Sequence, residues 1–511
     1  MRTLTLFCIV ACAFPLSAQA SNLRYLERGT PTPVGEIEQQ TLEDLEAARE
    51  LFARSRADFF VSQFVNEREE NFIFLEQLLT YVDEERYDDL FTVGDKLFEF
   101  QPALDFGART YPALVHDGEF GGADGASCRA CHFVGGPDGA GSATQRAHFF
   151  GDGRHVSSAA VRDAPHVMGL GYVSRIAREM EDELHTILLE AEQASASVSE
   201  PEVFPLEAKG VSFGELVAVP GGEVDRSGVV GISPDLIIRP FGRKGRHADL
   251  VSLSDEALQL HHGMQTSSRL AVYRGRPEVI GSGPDTDPDE DETRPRGEWY
   301  DGEVGAELTH AQPLVLGAYL ALLGVPQMRT PKRPDLLVRW TRGRELLDEV
   351  GCTSCHVERY VIDNDNLHLK ATGGYGTAVE LPLLEAGQEP VPYATDFGLE
   401  YSEENGTPVF LYSDLKRHDL GGAIAEMNDE AMPDGSSVPG NVWLTRSLWG
   451  LADSAPYMPD GRAATVHDAI LLHEGEALES KTAYLQLSER DQAALRIFLL
   501  SLTRHPTLLM E

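Results

Sequence analysis

Cys128-Arg129-Ala130-Cys131-His132 and Cys352-Thr353-Ser354-Cys355-His356 are the stretches whose residue types and spacing carry chemistry most directly. Two thiols three positions apart can bond covalently to the two vinyl groups of one porphyrin, and the adjacent histidine is then held under the iron. One such pentapeptide arises by chance in a long chain. Two of them imply two covalently bound haem c groups, attached through Cys128 and Cys131 and through Cys352 and Cys355, with His132 and His356 as iron ligands.

The cysteine count supports this. Residues 1–20 carry one positive charge, Arg2, an apolar run from Leu4 to Pro15 and an Ala18-Gln19-Ala20 ending, the pattern of a cleaved secretory signal. Of six cysteines, Cys8 and Cys12 leave with it, and the remaining four all lie in the haem motifs, so no disulfide framework is expected. The apolar run is too short to span a bilayer and no other segment is long and apolar enough to cross one. A periplasmic or secreted protein with no membrane span is therefore expected. The formal charge of −39 over 511 residues excludes nucleic acid and anionic membrane as partners. It suits solubility first and a docking face for a small, basic redox protein second.

The elements that must position these residues follow from periodicity. The fold expected is mainly α: two cytochrome c-like domains, with a helical N-terminal region over 21–106 and a small β-rich insertion. The first haem domain spans 107–190, the insertion with its β-hairpins and acidic linker 191–296, and the second haem domain 297–511. Glycines crowd the first motif on both sides, Gly121-Gly122 before it and Gly135-Gly136-Pro137-Asp138-Gly139 after it, as a backbone lying close to a flat ring would need. His148, His155, His166 and Met168 follow as candidates for the other face of the first iron, and a helix is expected through Ala177 to Leu189. Ala191 to Val203 reads as a polar linker, and Val211 to Ile238 as short strands between turns.

Arg239-Pro240-Phe241-Gly242-Arg243-Lys244-Gly245-Arg246 concentrates cations in an acidic chain, which points to Arg243 and Lys244 as groups that neutralise haem propionates or guide an anionic substrate. A helix over Ser254–Gln265 ends in His262 and Met264, two further iron-compatible donors. The acidic run from Asp285 to Glu292 alternates like a calcium loop, but Glu290 stands where the turn glycine belongs, which favours a solvated loop with calcium as the alternative. Near the end, Pro456-Tyr457-Met458-Pro459-Asp460-Gly461-Arg462 makes a turn, Thr465-x-x-Asp468 caps a helix with His473 in its last turn, and a closing helix runs from Ser488 to Leu502.

On both haem motifs, the Arg239–Lys244 run and the Pro456–Arg462 turn with its following helix, the chain resembles the di-haem oxidoreductase family over roughly Gly107–Leu502. These are relatives of bacterial dihaem cytochrome c peroxidase and of the dihaem enzyme that matures methylamine dehydrogenase. In them the axial residue of the second iron lies fourteen positions after a turn histidine. Here the turn position is Pro459 and the count reaches His473. The resemblance places a removable ligand of the first iron at His155, seven residues before Arg162, or at His148, sixteen beyond His132; His262 and Met264 stay open. It implies an oxidoreductase of the peroxidase kind, one haem relaying electrons and the other reacting with a small oxidant such as hydrogen peroxide. His155, His166 and Glu179 are its acid–base candidates. The alternatives are a pure electron-transfer protein and an oxidase of an organic or protein substrate.

Overall fold

A computed structural model describes residues 78–99, 127–142, 146–149, 160–262, 266–268, 308–383 and 406–504, with positions 125 and 264 and the strand pair Val115–His116 and Glu119–Phe120. All belong to one contact unit, Asn71–Glu511. The signal segment, the helical region before 78, the acidic run at 285–292 and His155 lie outside the described residues.

Nine helices carry the described architecture: α1 (Tyr87–Glu99), α2 (Cys128–Cys131), α3 (Leu170–Ser195), α4 (Leu250–His262), α5 (Ala311–Leu322), α6 (Pro334–Glu349), α7 (Val466–Leu471), α8 (Leu478–Gln486) and α9 (Glu489–Leu499). Helix α5 reads AQPLVLGAYLAL, apolar on every face, and all twelve of its residues are buried. A helix without a polar stripe has to be wrapped by its neighbours, here α1, α3 and α4. Helices α1 and α5 touch at Gly94, where any Cβ would collide with the Tyr319 side chain. Helix α6 packs on α9 through Trp340, whose ring lies 5.6 Å from that of Phe498 and whose indole N–H donates to Ser501 Oγ at 2.7 Å.

The sheets are small. Glu202–Ala208, Val211–Val219 and Glu223–Asp225 form a three-stranded antiparallel meander, and the remaining strands pair in twos. Helix α3 runs to Ser195, past the expected end at Leu189 and into the segment expected to be linker. Ala191 there is fully buried, and Ala-Glu-Gln residues are good helix formers, so packing extends the helix. Helix α6 leads into the second motif, and the helix capped by Thr465 forms as expected, the Thr465 hydroxyl accepting from Asp468 N at 3.1 Å. His473 stands two positions beyond the end of that helix, not within its last turn.

Candidate haem-binding site

The first motif is a single helical turn, α2, capped by Ser127 Oγ, which accepts from Ala130 N at 3.2 Å. His132 Nδ1 lies 2.8 Å from Pro165 O and 3.3 Å from Gly139 O. Carbonyl oxygens only accept, so Nδ1 carries the proton and Nε2 presents a lone pair. Burial pushes the His132 pKa down to about 4, so the ring stays neutral at ordinary pH, as a metal ligand must. The glycine run after the motif closes on itself through Val134 and Ala140, and this turn aims the Gly139 carbonyl.

The second motif opens at Gly351, at the end of α6, with Cys352–Ser354 in a 3-10 turn. His356 Nδ1 donates to Tyr412 O at 3.0 Å, and burial brings the ring down to about 4. His473 repeats the pattern: Nδ1 donates to Ala469 O at 2.8 Å and burial lowers its pKa. A charge on His473 would oppose one on His356, so the two rings are electrostatic neighbours. Both keep Nε2 free.

The other predicted residues divide. His262 also has its Nδ1 on a backbone carbonyl, Gly125 O at 3.2 Å, and its Nε2 lies 3.4 Å from Cys128 Sγ, against the first motif. Met264 is buried just beyond it. His148 sits in the Ala147–Phe149 strand opposite Val161, and its side chain lies outside the described residues. His166 has both nitrogens engaged: Nε2 donates to Trp449 O at 2.9 Å and Nδ1 accepts from Met168 N at 3.3 Å. Neither is left for iron or a travelling proton. Gly450 holds this arrangement with a φ of 71°; a Cβ there would stand 3.0 Å from His166 Nε2. Glu179 is likewise committed, accepting from Asp363 N at 3.0 Å and pairing with Lys209 at 2.7 Å and Arg175 at 3.0 Å. That set ties α3 to the 363–364 turn.

The basic run needs correction. Lys244 points inward, fully buried, and spends its three N–H groups on Pro439 O at 2.8 Å and on Gly440 O and Val442 O at 2.9 Å. None is left for a propionate. Arg239 pairs with Asp235 and Arg246 with Glu256. Arg243 is the exception: it donates to Asp163 O, and its buried Nε has no partner.

Haem propionates would need such donors. Arg504 Nε and Nη1 and Trp449 Nε1 are also buried without hydrogen-bond partners among the described residues. The charges of Arg243, on His132, and of Arg446 and Arg504, on His166, bear on the first motif. Orphaned donors are rare in native interiors, and these cations gather in an acidic chain. The residues present therefore fit a porphyrin with two carboxylates. Cys355, Asp414 and His418 also cluster, their possible ligand atoms within 4.8 Å of one another. His418 Nε2 faces Asp414 at 2.8 Å and Nδ1 faces Glu476 at 2.7 Å. Burial alone would lower its pKa, but hydrogen bonds with Asp414, Cys355 and Glu476 hold it up at about 11.

Residues 402–502 match the family model described as "Di-haem oxidoreductase, putative peroxidase". That match covers about the last fifth of the chain. It contains Tyr412, His418, Trp449 and His473, the residues that hold His356 and face both motifs. No curated protein matches the chain. Among solved structures, the hydrazine synthase of Kuenenia stuttgartiensis, pressurised with xenon, is similar at 16% identity over 41% of this chain and 58% of that one, with a TM-score of 0.22. The match thus spans little more than half of that protein's length.

Sequence reasoning did not single out His418, Arg446 or Arg504. The Asp414-x-x-x-His418 spacing was available as a signal for the first. Nothing local marks the two arginines, which earn their place by tertiary position.

Proposed function

We infer that the chain is an exported dihaem c-type cytochrome and an oxidoreductase of the peroxidase kind, in which the second haem relays electrons and the first meets a small peroxide. The observation that carries this reading is the difference between the two distal sides. At the second motif His356 and His473 form a pair of neutral rings, both with Nδ1 tied to backbone and Nε2 free. At the first, no such matched partner of His132 lies among the described residues; His262 approaches the attachment cysteine.

Bound haem would supply one-electron redox chemistry and a coordination position for a peroxide. The chain's residues do the rest. His132 and His356 would hold the irons through Nε2, and Arg243, Arg504 and Trp449, with buried donors, would bind the propionates. His262 would be the group nearest a bound first haem, because its Nδ1 is tied to Gly125 O and its Nε2 lies 3.4 Å from Cys128 Sγ. Met264, His148 and His155 remain alternatives for that position. A small electron-carrier protein supplies or accepts the electrons.

The test is absorption and EPR spectroscopy of the oxidised and half-reduced protein, with and without hydrogen peroxide. A high-spin or five-coordinate first haem that reacts with peroxide supports the reading. Two low-spin haems inert in every redox state would overturn it. One second reading is a pure electron carrier, in which His262, held against Cys128, would also ligate the first iron.

A further inference from the structure

Between the first motif and the protein surface lies a buried phenol that the reading above does not use. Tyr319, on α5, is fully buried. Its ring centroid is 5.4 Å from that of Phe98 and 5.0 Å from that of Phe91, both on α1, and Phe98 is in turn 5.7 Å from His132. The rings thus form a continuous series of tilted contacts from His132 to the phenol. The Tyr319 hydroxyl donates to Asp138 Oδ1 at 2.7 Å and lies 3.1 Å from Asp95 Oδ1, while Arg129 Nη2 donates to it at 3.2 Å. Arg129 is the second residue of the first haem motif, and it also pairs with Asp95 at 2.5 Å, with Asp138 at 3.3 Å and with Glu99. The network reaches water at Asp95 and Glu99, whose side chains are 36% and 53% exposed.

A phenol packed only for its volume needs one hydrogen-bond partner. This one has a carboxylate placed to take its proton, a second carboxylate behind that, and a guanidinium that keeps both in position. Burial and the nearby carboxylates push the Tyr319 pKa far above its ordinary value, so the phenolate is strongly disfavoured. Loss of an electron must then be coupled to loss of the proton.

We propose that Tyr319 is a redox-active side chain on a route from the His132 haem, through Phe98, to the surface at Asp95. In each step Tyr319 gives up one electron to an oxidant and its O–H proton to Asp138, leaving a neutral tyrosyl radical and a protonated carboxyl. Reduction from the surface side returns the electron while Asp138 returns the proton. The oxidant is the first haem after reaction with a peroxide, or an artificial one-electron acceptor at the surface. The peroxide route rests on the function inferred above.

Two measurements on the di-haem protein decide this. In the first, peroxide is added without an electron donor and the sample is frozen for EPR, with and without ring-deuterated tyrosine. A tyrosyl signal is expected that narrows on deuteration, falls at least tenfold in Tyr319→Phe and at least threefold in Asp138→Asn, with haem absorption in both variants as in the parent. In the second, a ruthenium photo-oxidant is attached at Lys96→Cys on the exposed side of α1, and the flash-induced oxidation of the reduced first haem is timed. Tyr319→Phe should slow it at least tenfold, and Phe98→Leu likewise. A radical unchanged in Tyr319→Phe, or flash rates within twofold of the parent, would overturn the proposal. If peroxide leaves the haem spectra untouched, the peroxidase reading fails, and the flash measurement alone settles the role of Tyr319.

Discussion

Arg162→Met should cost about 3–5 kcal/mol of stability and disturb the first haem more than the second. Arg162 closes the segment that leads to Pro165, whose carbonyl orients His132. Its guanidinium donates twice to Glu426 at 2.9 Å and once to Glu430 at 2.6 Å, and the three side chains are 8%, 9% and 3% exposed. Methionine fills much of the volume but leaves two buried carboxylates without their cation. Breaking a buried pair from one side typically costs about 3–5 kcal/mol. Lys244 Nζ, 3.6 Å from Glu426, relieves part of that, which places the expectation at the lower end, about 3 kcal/mol. At roughly 2 °C per kcal/mol for a large domain, the unfolding midpoint should fall by about 6 °C.

Denaturant titrations of parent and variant at pH 7.5, read by tryptophan fluorescence and by the absorption of each haem, measure both effects. Lys244→Met and the double variant complete a cycle in which the shared Glu426 should produce clear non-additivity. A loss below about 1 kcal/mol would refute the reasoning.

Three further outcomes follow from the geometry. His473→Ala should remove the low-spin signature of one haem only and open that iron to cyanide, with circular dichroism unchanged; cyanide binding no tighter than in the parent would exclude His473 as its ligand. His418 has a folded pKa of about 11 against an ordinary 6.5, so its contribution is complete below pH 6.5 and is lost as the pH rises toward 11. His418→Gln should therefore flatten the alkaline fall in thermal stability over that window, and a parallel fall would show that the clamp contributes nothing. Gly450→Ala forces a side chain into the φ of 71° and against His166 Nε2, for which about 1–3 kcal/mol is expected, measured by thermal unfolding.

Local patterns reached some of these residues and not others. The Cys-x-x-Cys-His runs name their own chemistry, and Thr465 announces a helix because its cap lies three residues from its partner. What orients the ligands is remote: Pro165 stands 33 positions from His132, and Tyr412 stands 56 from His356. Both contribute a backbone carbonyl, which any residue has, so no residue type betrays them. Lys244 misled for a related reason. A cation among cations reads as a surface patch, yet its ammonium is enclosed by three carbonyls from positions 439 to 442, about two hundred residues on. The α3 helix overran its expected end because burial of Ala191, a tertiary effect, outweighed the polar composition around it.

The first haem motif is finished by the far end of the chain. Asp163 N donates to Pro459 O at 2.7 Å, Arg504 N to Asp453 Oδ2 at 2.8 Å, and the Arg504 guanidinium reaches Met168 across 336 positions. During synthesis the Cys128–His132 stretch emerges long before the residues that close over it. Contacts of such long sequence separation form late and slowly. The segment around His132 therefore reaches its final packing only when residues 453–504 are in place.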